Sequence, residues 1–211
     1  KKKFSSMVWG PMNASYSKNK NLKLFFPDPW NYKNKAHPKS LEYLNMLPIY
    51  YARNYLDIKI YKIVIYSFLF ILSIIINKSF FLIIKNSFFY LKMLIRRGFK
   101  NYILFFILDI ISIEIFKKKI SLNKPNFAYI FLNSLAHFQH NNWDEKDKLK
   151  DYFLFSELIC KELVQIEKKY SSTIIINGFT QKKIKSRYML RPKNPEKFLK
   201  LLNINFIDLK Q

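Results

Sequence analysis

The sequence predicts an α/β fold: a three-layer sandwich with a mostly parallel sheet and a helical insert. Three observations predict it. Short apolar runs at residues 127–132, 173–176 and 205–209 alternate with helical stretches, the pattern of parallel strands joined by crossover helices. An earlier run, Leu22–Phe26, reads as a further strand that breaks at Pro27-Asp28-Pro29-Trp30. Residues 58–116 form a long apolar zone with helical periodicity, expected to pack beside the sheet as an insert or cap. The expected division is 1–57 for the N-terminal part of the α/β domain, 58–120 for the insert and 121–211 for the core segment.

Taken in order, residues 1–36 are polar and loop-like with aromatic anchors, apart from Leu22–Phe26. His37-Pro38 opens a helix in which Leu41, Leu44, Leu47 and Ile49 keep near-helical spacing, and Pro suits a first turn. Residues 63–76 are an uncharged run of 14 residues between Lys62 and Lys78. A spanning helix needs about 20 apolar residues, so packed helices are expected there, with a membrane-associated hairpin as the competing reading. Lys78, Lys85 and Lys92 recur every seven residues and so share one helical face, expected to meet water. Gly98 separates this pair from a third helix over 101–116, and Lys117-Lys118-Lys119 with Asn123-Lys124-Pro125 reads as a linker.

The strand at 127–132 follows. Asp144 can cap a helix running to about Tyr170, with Leu149, Phe153, Phe155, Leu158, Ile159, Leu163 and Ile166 as its buried stripe. Residues 173–176 are a β-branched run that reads as a fully buried strand, ended by the Asn177-Gly178 turn. It is expected beside the 127–132 strand in one parallel sheet. Asn194-Pro195 opens a last helix to about Asn203, before the final strand at 205–209.

The bulk numbers bound the function. A chain of 211 residues, 50% hydrophobic and 18% aromatic, builds one domain with a core and is not disordered. The net charge of +23 is compatible with nucleic acid, but the lysines are spread in runs no longer than three, and Lys, Asn, Ile, Phe and Tyr dominate throughout. That pattern reads as compositional bias, and nucleic acid is not the expected partner. The lone Cys160 excludes an internal disulfide and reads as a small core residue, with a reducing, cytoplasmic compartment as the default. A start at Lys1 without Met and an end just after a strand-like run are read as the edges of a fragment.

Direct chemistry concentrates at the end of the 127–132 strand. Asn133, His137 and His140 follow within ten residues, and two of the chain's three histidines lie there. Strand ends open into a crevice in parallel sheets, a common place for a site. His137 and His140 are three apart, so a helical turn would put them on one face, as metal ligands, acid–base groups or hydrogen-bonded packing residues. Asn133 serves either the site or the cap of the following turn. Asp28 between two prolines reads as a turn former, Trp9, Trp30 and Trp143 as packing anchors, and His37 as an exposed residue of helix entry. Asp144, Glu145 and Asp147 read as the solvated acids of a first helical turn. Asn133, His137 and His140 are expected together at the carboxyl edge, close to Asn177.

Three stretches carry a resemblance to a family. They are Trp9-Gly10-Pro11-Met12 leading to Leu24-Phe25-Phe26-Pro27-Asp28-Pro29-Trp30; Phe131-Leu132-Asn133-Ser134-Leu135-Ala136-His137-Phe138-Gln139-His140; and Ile174-Ile175-Ile176-Asn177-Gly178-Phe179-Thr180-Gln181. Together they resemble the alkaline-phosphatase-like superfamily, in its type I phosphodiesterase/nucleotide-pyrophosphatase-like branch. The resemblance implies a phosphate- or sulfate-ester hydrolase, or a transferase of such groups, using divalent metal such as zinc. It implies His137 as a metal ligand, with His140 beside it. It also exposes departures: Asn133 stands where Asp is usual, Asn177-Gly178 where Asp-His is usual, and the nucleophile region would precede Lys1, so no catalytic residue is assigned. Neutral amides are weaker ligands for divalent cations than carboxylates, so little or no turnover is expected of this chain. Two other classes compete: a non-enzymatic, membrane-associated protein built on residues 58–116, and a basic organellar RNA-binding protein.

Overall fold

The computed structural model describes residues 4–31, 33–55, 57–77, 80–98, 100–142, 146–167, 172–176, 192 and 194–203. The chain divides into two compact units, Lys1–Ile176 and Asn177–Gln211. The first is mixed α/β, with helices around a small, three-stranded parallel sheet. Its strands are β1 (Ser6–Trp9), β2 (Leu22–Phe26) and β3 (Phe127–Ile130), in the order β2-β1-β3. Its helices are α1 (Glu42–Asn54), α2 (Ile60–Ile76), α3 (Phe80–Arg97), α4 (Asn101–Asn123), α5 (Ser134–Asn142) and α6 (Leu149–Glu167). The second unit contributes α7 (Pro195–Leu201), where Asn194 Oδ1 accepts the Lys197 N–H at 2.9 Å as a side-chain cap.

Register places Trp9 opposite both Phe26 and Ile130, and Val8 opposite both Phe25 and Tyr129. The Trp9 face is the buried one. Met7, Trp9, Leu24 and Phe26 pack against Ile111, Ile115, Phe116 and Ile120 of α4, and Trp9 stacks on Phe26 at 4.1 Å. Other α4 side chains, Ile103, Phe106, Ile110 and Ile113, join a second cluster with Phe138 of α5 and Phe155 and Ile159 of α6. α4 is therefore the central helix, buried on two faces. The opposite sheet face is more open: Phe127 and Tyr129 are exposed.

Polar ties fix the helices around α4. Lys117 Nζ donates to Glu114 Oε1 at 2.7 Å and to Glu162 of α6. Burial pushes the Glu114 pKa up, with Lys117 acting against it. Burial pulls the Lys117 ammonium down, but the two glutamates outweigh it, and the net shift is upward. Buried Asp151 of α6 accepts from the Tyr102 hydroxyl at 3.2 Å and pairs with Arg97 at 3.0 Å.

Several expectations are corrected. Residues 173–176 form no strand, and Ile174, Ile175 and Ile176 are 83%, 65% and 80% exposed. A β-branched run becomes a strand only where a neighbour supplies hydrogen bonds and a surface to pack on, and β3 pairs with β1 alone among the described residues. β1 lies in a stretch read as loop. The 117–119 lysines are not a linker, because α4 continues to Asn123 and closes with Lys124 in the left-handed region, φ 42°. In α6, Leu149 and Phe153 are exposed while Phe155, Ile159 and Ile166 are buried. Cys160 is exposed, since the α6 stripe facing α4 passes through its neighbour Ile159. Lys92 meets water as expected; Lys78, Asp144 and the strand expected at 205–209 lie outside the described residues.

Candidate functional site

Parallel strands carry their following loops to one edge. After Trp9 the chain turns at Gly10, φ +68°, whose N–H donates to Phe26 O at 2.7 Å, while Phe131 N–H donates to Trp9 O at 2.9 Å. A Cβ on Gly10 would lie 2.9 Å from Phe131 O, so both the backbone conformation and the space call for glycine. After Phe26 the chain enters Pro27-Asp28-Pro29. Buried Asp28 accepts the Trp30 N–H on Oδ1 at 2.9 Å, the side-chain turn expected of it. Burial raises its pKa, against that hydrogen bond. Asn45 of α1 donates Nδ2 to Pro27 O at 3.2 Å and braces this turn from behind.

The third loop leads into α5. Asn133 O accepts the His137 N–H at 3.0 Å, so Asn133 caps the helix through its backbone. Its side-chain Nδ2 lies 3.4 Å from His137 Nε2. The half-buried His137 ring stacks on Phe105 of α4, centroids 4.4 Å apart and planes 13° apart. Burial, and then the nearby His140, pulls the His137 pKa down. The ring is therefore neutral at pH 7, with a nitrogen lone pair able to accept a proton or ligate a cation. His140 is exposed one turn further along the same helix.

Asp109 completes the constellation. It sits on α4, and its Oδ2 accepts the Ser134 N–H at 2.8 Å, at the N-terminus of α5. Burial pushes its pKa up to about 6, against hydrogen bonds from Ser134 and the Asn133 backbone. Ser134 Oγ lies buried beside this carboxyl without a hydrogen bond of normal geometry. Asp109 falls within the helix expected over 101–116 but is not among the expected site residues. The available signal was an acid inside the otherwise apolar run Ile107-Leu108-Asp109-Ile110-Ile111, where a carboxylate needs a partner to be tolerated.

Three of the expected site residues are thus brought together: Asn133, His137 and His140 lie on α5 or its cap, at the carboxyl edge. Asn177 lies outside the described residues. Trp143 also lies outside them. Among the described residues no group of three or more His, Cys, Asp or Glu side chains is arranged to hold a metal. The edge offers two imidazoles, a neutral amide and the single carboxyl of Asp28, which does not match a two-cation centre built on several carboxylates. A basic cleft of about 540 Å³ opens between residues 33–36, α1 and α2. Lys33, Lys35, Arg53 and Lys62 line it with Glu42 as the single acid. Comparison with family models, curated proteins and solved structures finds no match.

Proposed function

We propose that this chain forms an α/β domain of the alkaline-phosphatase-like kind, binding a phosphate or sulfate ester at the carboxyl edge of its sheet and reduced in its metal ligands. The observation that carries the reading is the convergence of Gly10, Asp28, Asn133 and His137 at that one edge, because these residues belong to two of the three stretches that resemble the family. In this reading the sheet is the centre of a three-layer sandwich. α4 is one layer, and the face bearing Val8, Phe25 and Tyr129 takes the other. The basic cleft beside the Pro27 turn favours an anionic ligand. His137 and His140, with Asn133 as a neutral third donor, would hold a single divalent cation such as zinc. A bound cation would supply positive charge opposite the ester's developing negative charge. His137, neutral at pH 7, accepts a proton or a cation at the edge, and Asp109 fixes α5 beneath it. The missing carboxylates leave the cation weakly held, so turnover is slow or absent.

The test has two parts. Calorimetric titration with inorganic phosphate, with and without zinc, is expected to give zinc-dependent binding that His137→Ala abolishes. Hydrolysis of a generic aryl phosphodiester and an aryl sulfate is expected to stay near background. No binding of phosphate or sulfate under either condition overturns the reading. Zinc- or manganese-dependent turnover abolished by His137→Ala upholds the site and overturns the loss of its ligands.

A further inference from the structure

The helices α2 and α3 each expose an apolar stripe in addition to the apolar side chains they pack inward, Ile74 on α2 and Tyr90 and Met93 on α3. On α2, Ile60, Val64, Phe68, Ile71 and Ile75 are 78%, 63%, 66%, 50% and 49% exposed, at spacings of three and four residues. They form one continuous stripe. The side chains α2 buries are Ser73 and Ile74, with the capping Asn77. Ser73 Oγ donates to Ser40 O at 2.7 Å, and Asn77 Nδ2 donates to Ser73 O at 2.8 Å. Polar groups thus anchor the helix while its hydrocarbon faces out. On α3, Phe81, Ile84, Leu91 and Ile95 repeat the pattern on one face, at 84%, 46%, 56% and 74% exposure. Scattered exposed apolar residues need no explanation, but an apolar stripe running the length of one helix and repeated along the next marks an interaction surface.

Charge identifies the partner. Between Asp57 and Asp109 there is no acidic residue, while eight lysines and arginines fall there. Lys59, Lys92, Arg96 and Lys100 are exposed. A second copy of this surface would bring like charge against like charge with no carboxylate from this segment to neutralise it. An anionic bilayer supplies both requirements, hydrocarbon for the stripes and headgroup phosphates for the cations. α2 has 17 residues, fewer than the roughly 20 a spanning helix needs, and among the described residues no helix is long and apolar enough to cross a membrane. We infer that the outer faces of α2 and α3 form a docking surface for an anionic lipid bilayer, lying in its interface without spanning it.

The experiment is vesicle co-sedimentation of the full chain. With equimolar phosphatidylglycerol and phosphatidylcholine, binding is expected at least tenfold above that to pure phosphatidylcholine, and weaker but still present in high salt. The variant Phe68→Glu/Ile71→Glu/Phe81→Glu is expected to lose binding by at least tenfold with its circular dichroism unchanged. A second measurement does not depend on that variant folding. An environment-sensitive fluorophore at Phe68→Cys, in a Cys160→Ser background, is expected to shift to the blue on anionic vesicles, while the same label on native Cys160 is not. Equal binding to neutral and anionic vesicles, no binding to either, or a blue shift at Cys160 alone overturns the inference. So does a dimer in solution that the triple variant abolishes and that does not bind vesicles, since the face would then join two copies of the chain.

Discussion

Helices α2 and α4 invert the usual relation between hydropathy and burial. Residues 63–76 of α2 carry no charge, yet much of its surface is exposed. α4 carries Asp109, Glu114 and three consecutive lysines, yet Ile103, Phe106, Ile113 and Ile115 are completely buried. The difference lies in what surrounds each helix. α4 meets the sheet on one face and α3, α5 and α6 on others, and its buried acids have partners in Ser134 and Lys117. α2 leans on α1 through a short buried strip, and among the described residues no element covers its apolar face. Apolar character sets how much burial could stabilise a helix; neighbours decide whether that burial happens.

The largest expected effect is at the centre of α4. Phe106 is completely buried and stacks on Phe155 at 4.0 Å, so Phe106→Ala should cost about 3–5 kcal/mol in chemical denaturation. A loss under about 1 kcal/mol would mean that α4 is not the central helix. Next comes the tie between α4 and α6. Lys117→Met leaves Glu114 buried without its cation and should cost about 3 kcal/mol, largely recovered when Glu114→Gln is added. Denaturation of both single variants and the double variant checks this, and simple additivity would argue against a buried network. At the sheet edge, Gly10→Ala should cost about 2 kcal/mol, from the left-handed φ and the approach to Phe131 O, and is read from the same denaturation curves.

A further effect depends on pH. The Asp109 pKa is raised from 3.8 to about 6 in the native state. Between these values the native chain keeps a proton that the unfolded chain has released, so stability from this group falls as pH rises from about 4 to 6. Asp109→Asn, which can still accept the Ser134 N–H, should remove that slope. Denaturation midpoints of both proteins from pH 4 to 7 should diverge in favour of Asn as pH rises and then run parallel above about 6. The smallest effect belongs to α2: Phe68→Ala should change stability by less than about 0.5 kcal/mol, because the side chain is already in solvent. A loss as large as that of Phe106→Ala would erase the contrast between the two helices.

By itself, the sequence determined the parts that depend on local chemistry. Periodicity located α2 and the start of α4, and Gly98, at φ +77°, marks the break before it. The proline pair ended β2, and Asn194 with Pro195 set the start of α7. The apolar run located β3, while the shared face of His137 and His140 was conditional on a helical turn that α5 supplies. Tertiary structure decided everything that needs a neighbour distant in sequence. Ser6–Trp9 is a strand because Leu22–Phe26 and Phe127–Ile130 flank it, and its four residues are too few to announce a period. Residues 173–176, with stronger strand character, have no such neighbours among the described residues and stay exposed. Asp109 joins the site because folding sets it against the N-terminus of a helix 25 residues away. Propensity and capping act over a turn or two of chain, whereas burial, pairing and pKa depend on which distant surfaces the fold brings into contact.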